Sequence, residues 1–139
     1  MTTERDHTQR KDPSAPLMRL GHCLFVLVPG NLRDAAAREL HDAVSARLAK
    51  EHGIRGLVID VSAPSIVDSY AARVLDETAH VARSFGSKTV LVGLHPEVAV
   101  TLVELGIDLS ALDTALNLER ALAKLKLRIV SEDEDGPGP

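Results

Sequence analysis

The stretch Gly56-Leu-Val-Ile-Asp-Val-Ser-Ala-Pro-Ser-Ile-Val-Asp-Ser-Tyr70 decides the fold. Leu57 to Val61 is a short apolar run broken only by Asp60, the pattern of a strand covered on both faces. The polar loop Ser62 to Asp68 follows. Beyond it the period becomes helical, with Val74, Leu75, Thr78, Val81, Ala82 and Phe85 on one face before Gly86. A two-sided strand feeding an amphipathic helix is the repeating unit of a parallel sheet.

The same unit recurs on either side. Toward the N-terminus, His22-Cys-Leu-Phe-Val-Leu-Val28 stops at Pro29-Gly30, and from Asn31 to His52 Leu32, Ala36, Leu40, Val44 and Leu48 recur four apart until Gly53. Toward the C-terminus, Thr89-Val-Leu-Val-Gly93 is a third strand. Pro96 suits the first position of a helix whose inward face reads Val98, Ala99, Leu102, Val103 and Leu105 before Gly106. A short strand over Leu112 to Ala115 and a last helix from Asn117, with Leu118, Leu122 and Leu125 inward, complete the series. Leu17 to Leu20 forms the first arm of a hairpin turning near Gly21, which makes the sheet mixed. The predicted class is α/β, a mixed and mainly parallel sheet of about five strands flanked by about four helices.

A chain of 139 residues with 45% apolar composition holds one core, which excludes a multidomain machine. Residues 1–16 are polar, mix charges and carry two prolines, and residues 129–139 are acidic and end Gly-Pro-Gly-Pro; both are predicted to be disordered, leaving 17–128 as the folded domain. The net charge of −4 resides in Glu132 to Asp135, and the preceding residues are balanced. A neutral body with 2% aromatics offers neither a basic surface nor stacking platforms, so nucleic acid is not an expected partner. The single cysteine, Cys23, forms no intrachain disulfide. The start lacks the basic and apolar regions of a signal peptide, and the run Cys23 to Val28 is far short of the roughly 20 residues that span a bilayer. A cytoplasmic protein without membrane contact is expected.

The six histidines lack metal-ligand spacing, and no phosphate-cradling glycine loop or nucleophile elbow is present, so no metal, cofactor or catalytic residue is expected. Asp60, at the end of a central strand, has two readings: a phospho-acceptor of the receiver type, or a structural carboxylate bonding loop amides. The run Cys23 to Val28 lacks the further acids that would hold Mg²⁺ for the first. Ser69 is placed to cap a helix beginning at Tyr70. The same placement sets its hydroxyl at the C-terminal edge of a parallel sheet, where α/β folds carry their sites. Thr101 falls with Glu97 and Glu104 on the outward face of its helix, as an ordinary exposed residue or a regulatory one.

The residues Gly56 to Tyr70 and Thr89-Val-Leu-Val-Gly-Leu-His-Pro-Glu-Val-Ala-Val-Thr-Leu-Val-Glu-Leu-Gly-Ile107 resemble a STAS domain. Together with Leu20-Gly-His-Cys-Leu24 and Thr114-Ala-Leu-Asn-Leu-Glu119, they are most similar to the RsbS-like branch of bacterial stressosome proteins. The resemblance runs from about Leu17 to Leu127; the N-terminal extension and the acidic tail depart from it. It implies a STAS fold and a non-enzymatic scaffold that sequesters a switch serine kinase of the RsbT-like type and releases it when phosphorylated. Ser69 is then the main phospho-acceptor and Thr101 a weaker second one. Asp68 would orient the loop, and Ser62, Ala63, Pro64, Ser65, Ile66, Val67 and Tyr70 would face the kinase. The implied partners are RsbR-like STAS paralogues in a large assembly and a second copy of the chain in a dimer. Two alternatives stand beside this: a simple anti-sigma factor antagonist acting outside any large complex, and a small α/β enzyme or nucleotide-binding module using Asp60 and Ser69.

Overall fold

The computed structural model describes residues 17–30, 32, 34–107 and 112–125. The expectations for residues 1–16 and 129–139 lie outside them. The elements are β1 (Leu17–Leu20), β2 (Cys23–Leu27), α1 (Asp34–Lys50), β3 (Gly56–Asp60), α2 (Ser69–Ser84), β4 (Lys88–Val92), α3 (Pro96–Glu104), β5 (Asp113–Ala115), and α4, of which residues 118–125 are described. The strands form one sheet in the order β1-β2-β3-β4-β5. β1 and β2 make the antiparallel hairpin, and every later pair is parallel.

That strictly sequential order decides the layering. Parallel crossovers are right-handed, so three successive ones running in one direction place α1, α2 and α3 on the same face of the sheet. The register agrees. Leu24 pairs with Leu57 and Leu57 with Thr89, while Val26 pairs with Ile59 and Ile59 with Leu91, giving one buried row after another beneath the helices. Leu40, Val44 and Leu48 from α1, Val74, Leu75 and Ala79 from α2, and Leu102 from α3 fill the space above them. Between α1 and α2, Thr78 donates to Val74 O at 2.7 Å, so its oxygen receives Nδ1–H of His41 at 2.9 Å.

The opposite face carries Cys23, Val58, Val90 and Val92, covered by Ala121 and Leu125 of α4. Asn117 caps α4 by accepting from Arg120 N at 2.9 Å, and Lys124 clamps it to β5 by donating to Asp113 Oδ1 (3.0 Å) and Thr114 O (2.8 Å). Burial of the Asp113 carboxyl opposes ionisation, but the bonds from Lys124 and Thr114 N and the nearby Lys88 outweigh it and hold the group below its ordinary value of 3.8. α4 covers only part of this face. Met18, Leu20 and Leu27 stay exposed, and with Phe25, Leu118 and Leu122 they line an apolar groove of about 310 Å³.

The main departures from expectation occur at helix ends. α1 begins at Asp34 instead of Asn31; Leu32 shares the helical phase and is buried, yet it lies in the preceding loop, and Ala37 is buried while Ala36 is only partly so. Phe85 is 49% exposed because it is the C-cap of α2, bonding back to Ala82 O, where the helical phase has ended. Val103 is 61% exposed, since Val98 and Leu102 already form the narrow buried row of the short α3. In α4 the small Ala121 and Leu125 pack against the sheet, and Leu118 and Leu122 turn outward to the groove.

Candidate functional site

The loop after β3 is built by its own side chains. Asp60 Oδ1 accepts from Ser62 N (2.9 Å) and Ser62 Oγ (2.6 Å), which bends the chain as it leaves the strand. Asp60 therefore has the structural role. From the neighbouring β4–α3 loop, His95 Nε2 donates to Ser62 O at 2.8 Å. His95 occupies the N-cap position of α3 without making a side-chain cap bond there. Sequence reasoning did not find this brace, because it joins residues 33 apart and no local pattern announces it.

Beyond Ser62 the loop is sorted by burial. Val67 belongs to the core and Pro64 is buried as well, so these two anchor the loop instead of facing a partner. Ser62, Ala63, Ser65, Ile66, Asp68, Ser69 and Tyr70 are exposed, Ile66 at 80%. An apolar side chain so far out of its loop is available for contact.

Asp68, and not Ser69, caps the helix. With extended backbone (φ −79°, ψ 172°), it accepts from Ala71 N at 2.8 Å through Oδ1, and its carbonyl accepts from Ala72 N at 2.9 Å. Ser69 is the first residue of α2, one position earlier than the sequence suggests. The two neighbours compete for one role, and the carboxylate takes it, bringing a negative charge to the positive helix end. The Ser69 hydroxyl is consequently left outside every hydrogen bond among the described residues. Thr101 differs: half-buried on α3, its hydroxyl donates to Glu97 O at 3.0 Å.

Two flanking features complete the site. On one side, Arg38 of α1 reaches Tyr70 Oη through Nε and Nη2, both at 3.3 Å, with its guanidinium carbon 6.0 Å from the ring centre, and pairs with Glu77 at 3.7 Å. The bond to Tyr70 raises the Arg38 pKa, with the Glu77 and Asp42 charges acting the same way. On the other side, an open cleft of about 750 Å³ runs between the β2–α1 and β3–α2 loops, lined by Gly30, Leu32, Asp34, Ala35, Ser65, Ile66 and Asp68. No group of three or more His, Cys, Asp or Glu side chains suited to a metal is present among the described residues, and none of their helices is long and apolar enough to cross a membrane. Cys23 is buried in the second face of the sheet, away from this loop, and burial raises its thiol pKa.

The cap is testable. Asp68→Ala is expected to destabilise the domain by about 1 kcal/mol, a fall of about 4–8 °C in Tm for a domain near this size, with faster amide exchange in the first turn of α2. Asp68→Asn keeps most of the bond. An unchanged melting curve for Asp68→Ala would remove the cap from the account.

Residues 15–121 match the model of the STAS domain, and the chain belongs to that family. It is 34% identical to a serine-to-glutamate variant of the RsbS protein of Moorella thermoacetica, over 84% of this chain and 97% of that one, with a TM-score of 0.76. A chain from the molecular architecture of the stressosome, described as a signal integration and transduction hub, is 37% identical over 82% of this chain and 98% of its own, with a TM-score of 0.72. Among curated proteins, the RsbT co-antagonist protein RsbRA of Bacillus subtilis is 29% identical over 110 residues. The match takes in 78% of this chain, which spans only 40% of that relative's length.

Proposed function

We propose that this chain is a stressosome scaffold and kinase antagonist: in its unmodified form it holds a switch serine kinase, and phosphorylation of Ser69 releases that kinase to act in a stress-response pathway. The observation that carries the reading is the state of the Ser69 hydroxyl, exposed at the first position of α2 and free of hydrogen bonds among the described residues. A kinase needs a hydroxyl it can align with a phosphate without first breaking the substrate's own bonds. Thr101 is the weaker acceptor because its hydroxyl is already engaged within its helix.

In the transfer, Ser69 Oγ forms a bond to the γ-phosphorus of ATP and the bond from that phosphorus to the bridging oxygen breaks. ADP leaves, and the hydroxyl proton passes to a base of the kinase. The chain is then a substrate and a binding partner, with no catalytic step of its own. The kinase-facing surface in this reading is the exposed part of the loop, Ser62, Ala63, Ser65 and Ile66, with Tyr70 beside it. The likeness to RsbRA supports assembly with RsbR-like paralogues. The exposed apolar strip of Met18, Leu20 and Leu27 supports contacts with like domains, a second copy included.

The test is to incubate the chain with an RsbT-like kinase and ATP and to locate the phosphate by mass spectrometry. One phosphate is expected, on Ser69, and Ser69→Ala should take up little or none. Full modification of Ser69→Ala would overturn the assignment.

A further inference from the structure

Residues at i and i+4 of a helix share a face, with Cβ atoms about 5–6 Å apart, and long side chains lean toward the helix N-terminus. Arg73 stands at i+4 from Ser69 in α2, a spacing at which an arginine side chain can reach back to the turn that carries the Ser69 hydroxyl. It is exposed and makes no hydrogen bond or ion pair among the described residues. Its own acidic neighbour one turn on, Glu77, is paired with Arg38 of α1, which Tyr70 holds in place. The acidic residue four positions beyond this unpaired cation is thus engaged with another helix.

The helix end itself is occupied. The Asp68 carboxylate already takes the Ala71 amide, and Asp34 shares the cleft with it. A phosphate on Ser69 would be repelled from that side and attracted along α2, where an arginine fork can bind two of its oxygens. We propose that Arg73 is the intramolecular receptor of the Ser69 phosphate, holding it over the outer face of α2, and that the Arg38–Glu77 pair keeps Arg73 available for it. The proposal rests on the reading of Ser69 as the modified residue.

The test installs phosphoserine at position 69 of the full chain during translation, so that no kinase is involved, and follows the phosphate by ³¹P NMR as a function of pH. Its second pKa is near 6. A nearby Arg favours the dianion, so Arg73→Gln is expected to raise that pKa by about 0.3–0.7 pH unit. Arg73→Lys should raise it less. Arg38→Gln, which frees Glu77 to pair with Arg73, should raise it by an intermediate amount. Asp34 and Asp68 are unchanged throughout, and circular dichroism confirms that each variant is folded. Arg83→Gln, at the far end of the same helix, should leave the pKa where it was. The same pKa with and without Arg73, or an equal rise from Arg83→Gln, would overturn the pairing. Whether a kinase modifies Ser69 is read separately by the mass-spectrometric assay above, so either idea can fail without the other.

Discussion

A phosphate on Ser69 is expected to weaken binding of the switch kinase by about a hundredfold or more, and Ser69→Glu by a smaller factor in the same direction. Phosphorylation adds about −1.5 to −2 charges. In the proposed complex that charge lies within a face bounded by Ile66 and Tyr70, both exposed in the free chain. Seating the kinase on that face takes the phosphate out of water and, where its surface displaces Arg73, leaves a buried charge without a partner at a cost of about 3–5 kcal/mol, and each 1.4 kcal/mol is a factor of ten in affinity. The fold itself should be indifferent. Ser69 gives up no hydrogen bond among the described residues when it is modified, and its exposed position leaves the added charge in contact with water in the free chain. Titration calorimetry of the full chain against the kinase separates these statements: Ser69→Ala should bind like the parent, and the phosphorylated form should lose affinity while keeping its melting temperature. Unchanged affinity on phosphorylation would refute the switch. A large drop in melting temperature would show that modification acts by unfolding the domain.

The layered fold was legible because strands apolar on both faces and helices with one apolar stripe leave few other ways to bury the same residues. Leu57 to Val61 and Val74 to Ala82 carry that message without help from the rest of the chain. Legibility declined where periodicity stops being informative, at element ends. Leu32 and Phe85 are in phase with their helices, yet one precedes α1 and the other ends α2, and a phase cannot say where hydrogen bonding begins. Two leucines of α4, Leu118 and Leu122, read as core because the sequence does not show that the sheet offers room for only Ala121 and Leu125 at close approach. At the site, the sequence placed Asp68 and Ser69 together at a helix start but could not say which of two good capping residues would do the capping. The exchange matters to function, since a capping Ser69 would have had its hydroxyl engaged. The contacts that shape the loop from outside, His95 to Ser62 and Arg38 to Tyr70, join residues more than thirty positions apart and became visible only in three dimensions.

A further approach to the loop depends on a residue with no side chain. Gly93, just after β4, has φ +75°, and a Cβ built on it would lie 2.7 Å from Ser62 Cβ and 3.2 Å from Ser62 Cα. The β4–α3 loop can therefore lie against the start of the Ser62–Asp68 loop only because position 93 is glycine, and that approach brings His95 within reach of Ser62 O. Gly93→Ala should act twice, through the left-handed backbone, at about 1–2 kcal/mol, and through steric displacement of Ser62, at about 1–3 kcal/mol. A combined loss of about 2–5 kcal/mol corresponds to a fall in melting temperature of about 10 °C or more. Gly86→Ala is the matched control: Gly86 has φ +85°, but nothing lies within 4 Å of the added methyl, so only the backbone cost applies. The excess loss in Gly93→Ala over Gly86→Ala thus measures the packing of the two loops. Because that displacement moves the chain leading to Ser69, the same variant should be a poorer kinase substrate, with the change falling mainly on KM, whereas Gly86→Ala keeps the parent's value. Equal destabilisation by the two substitutions would mean that Ser62 moves aside freely and that the β4–α3 loop does not position the phospho-acceptor segment.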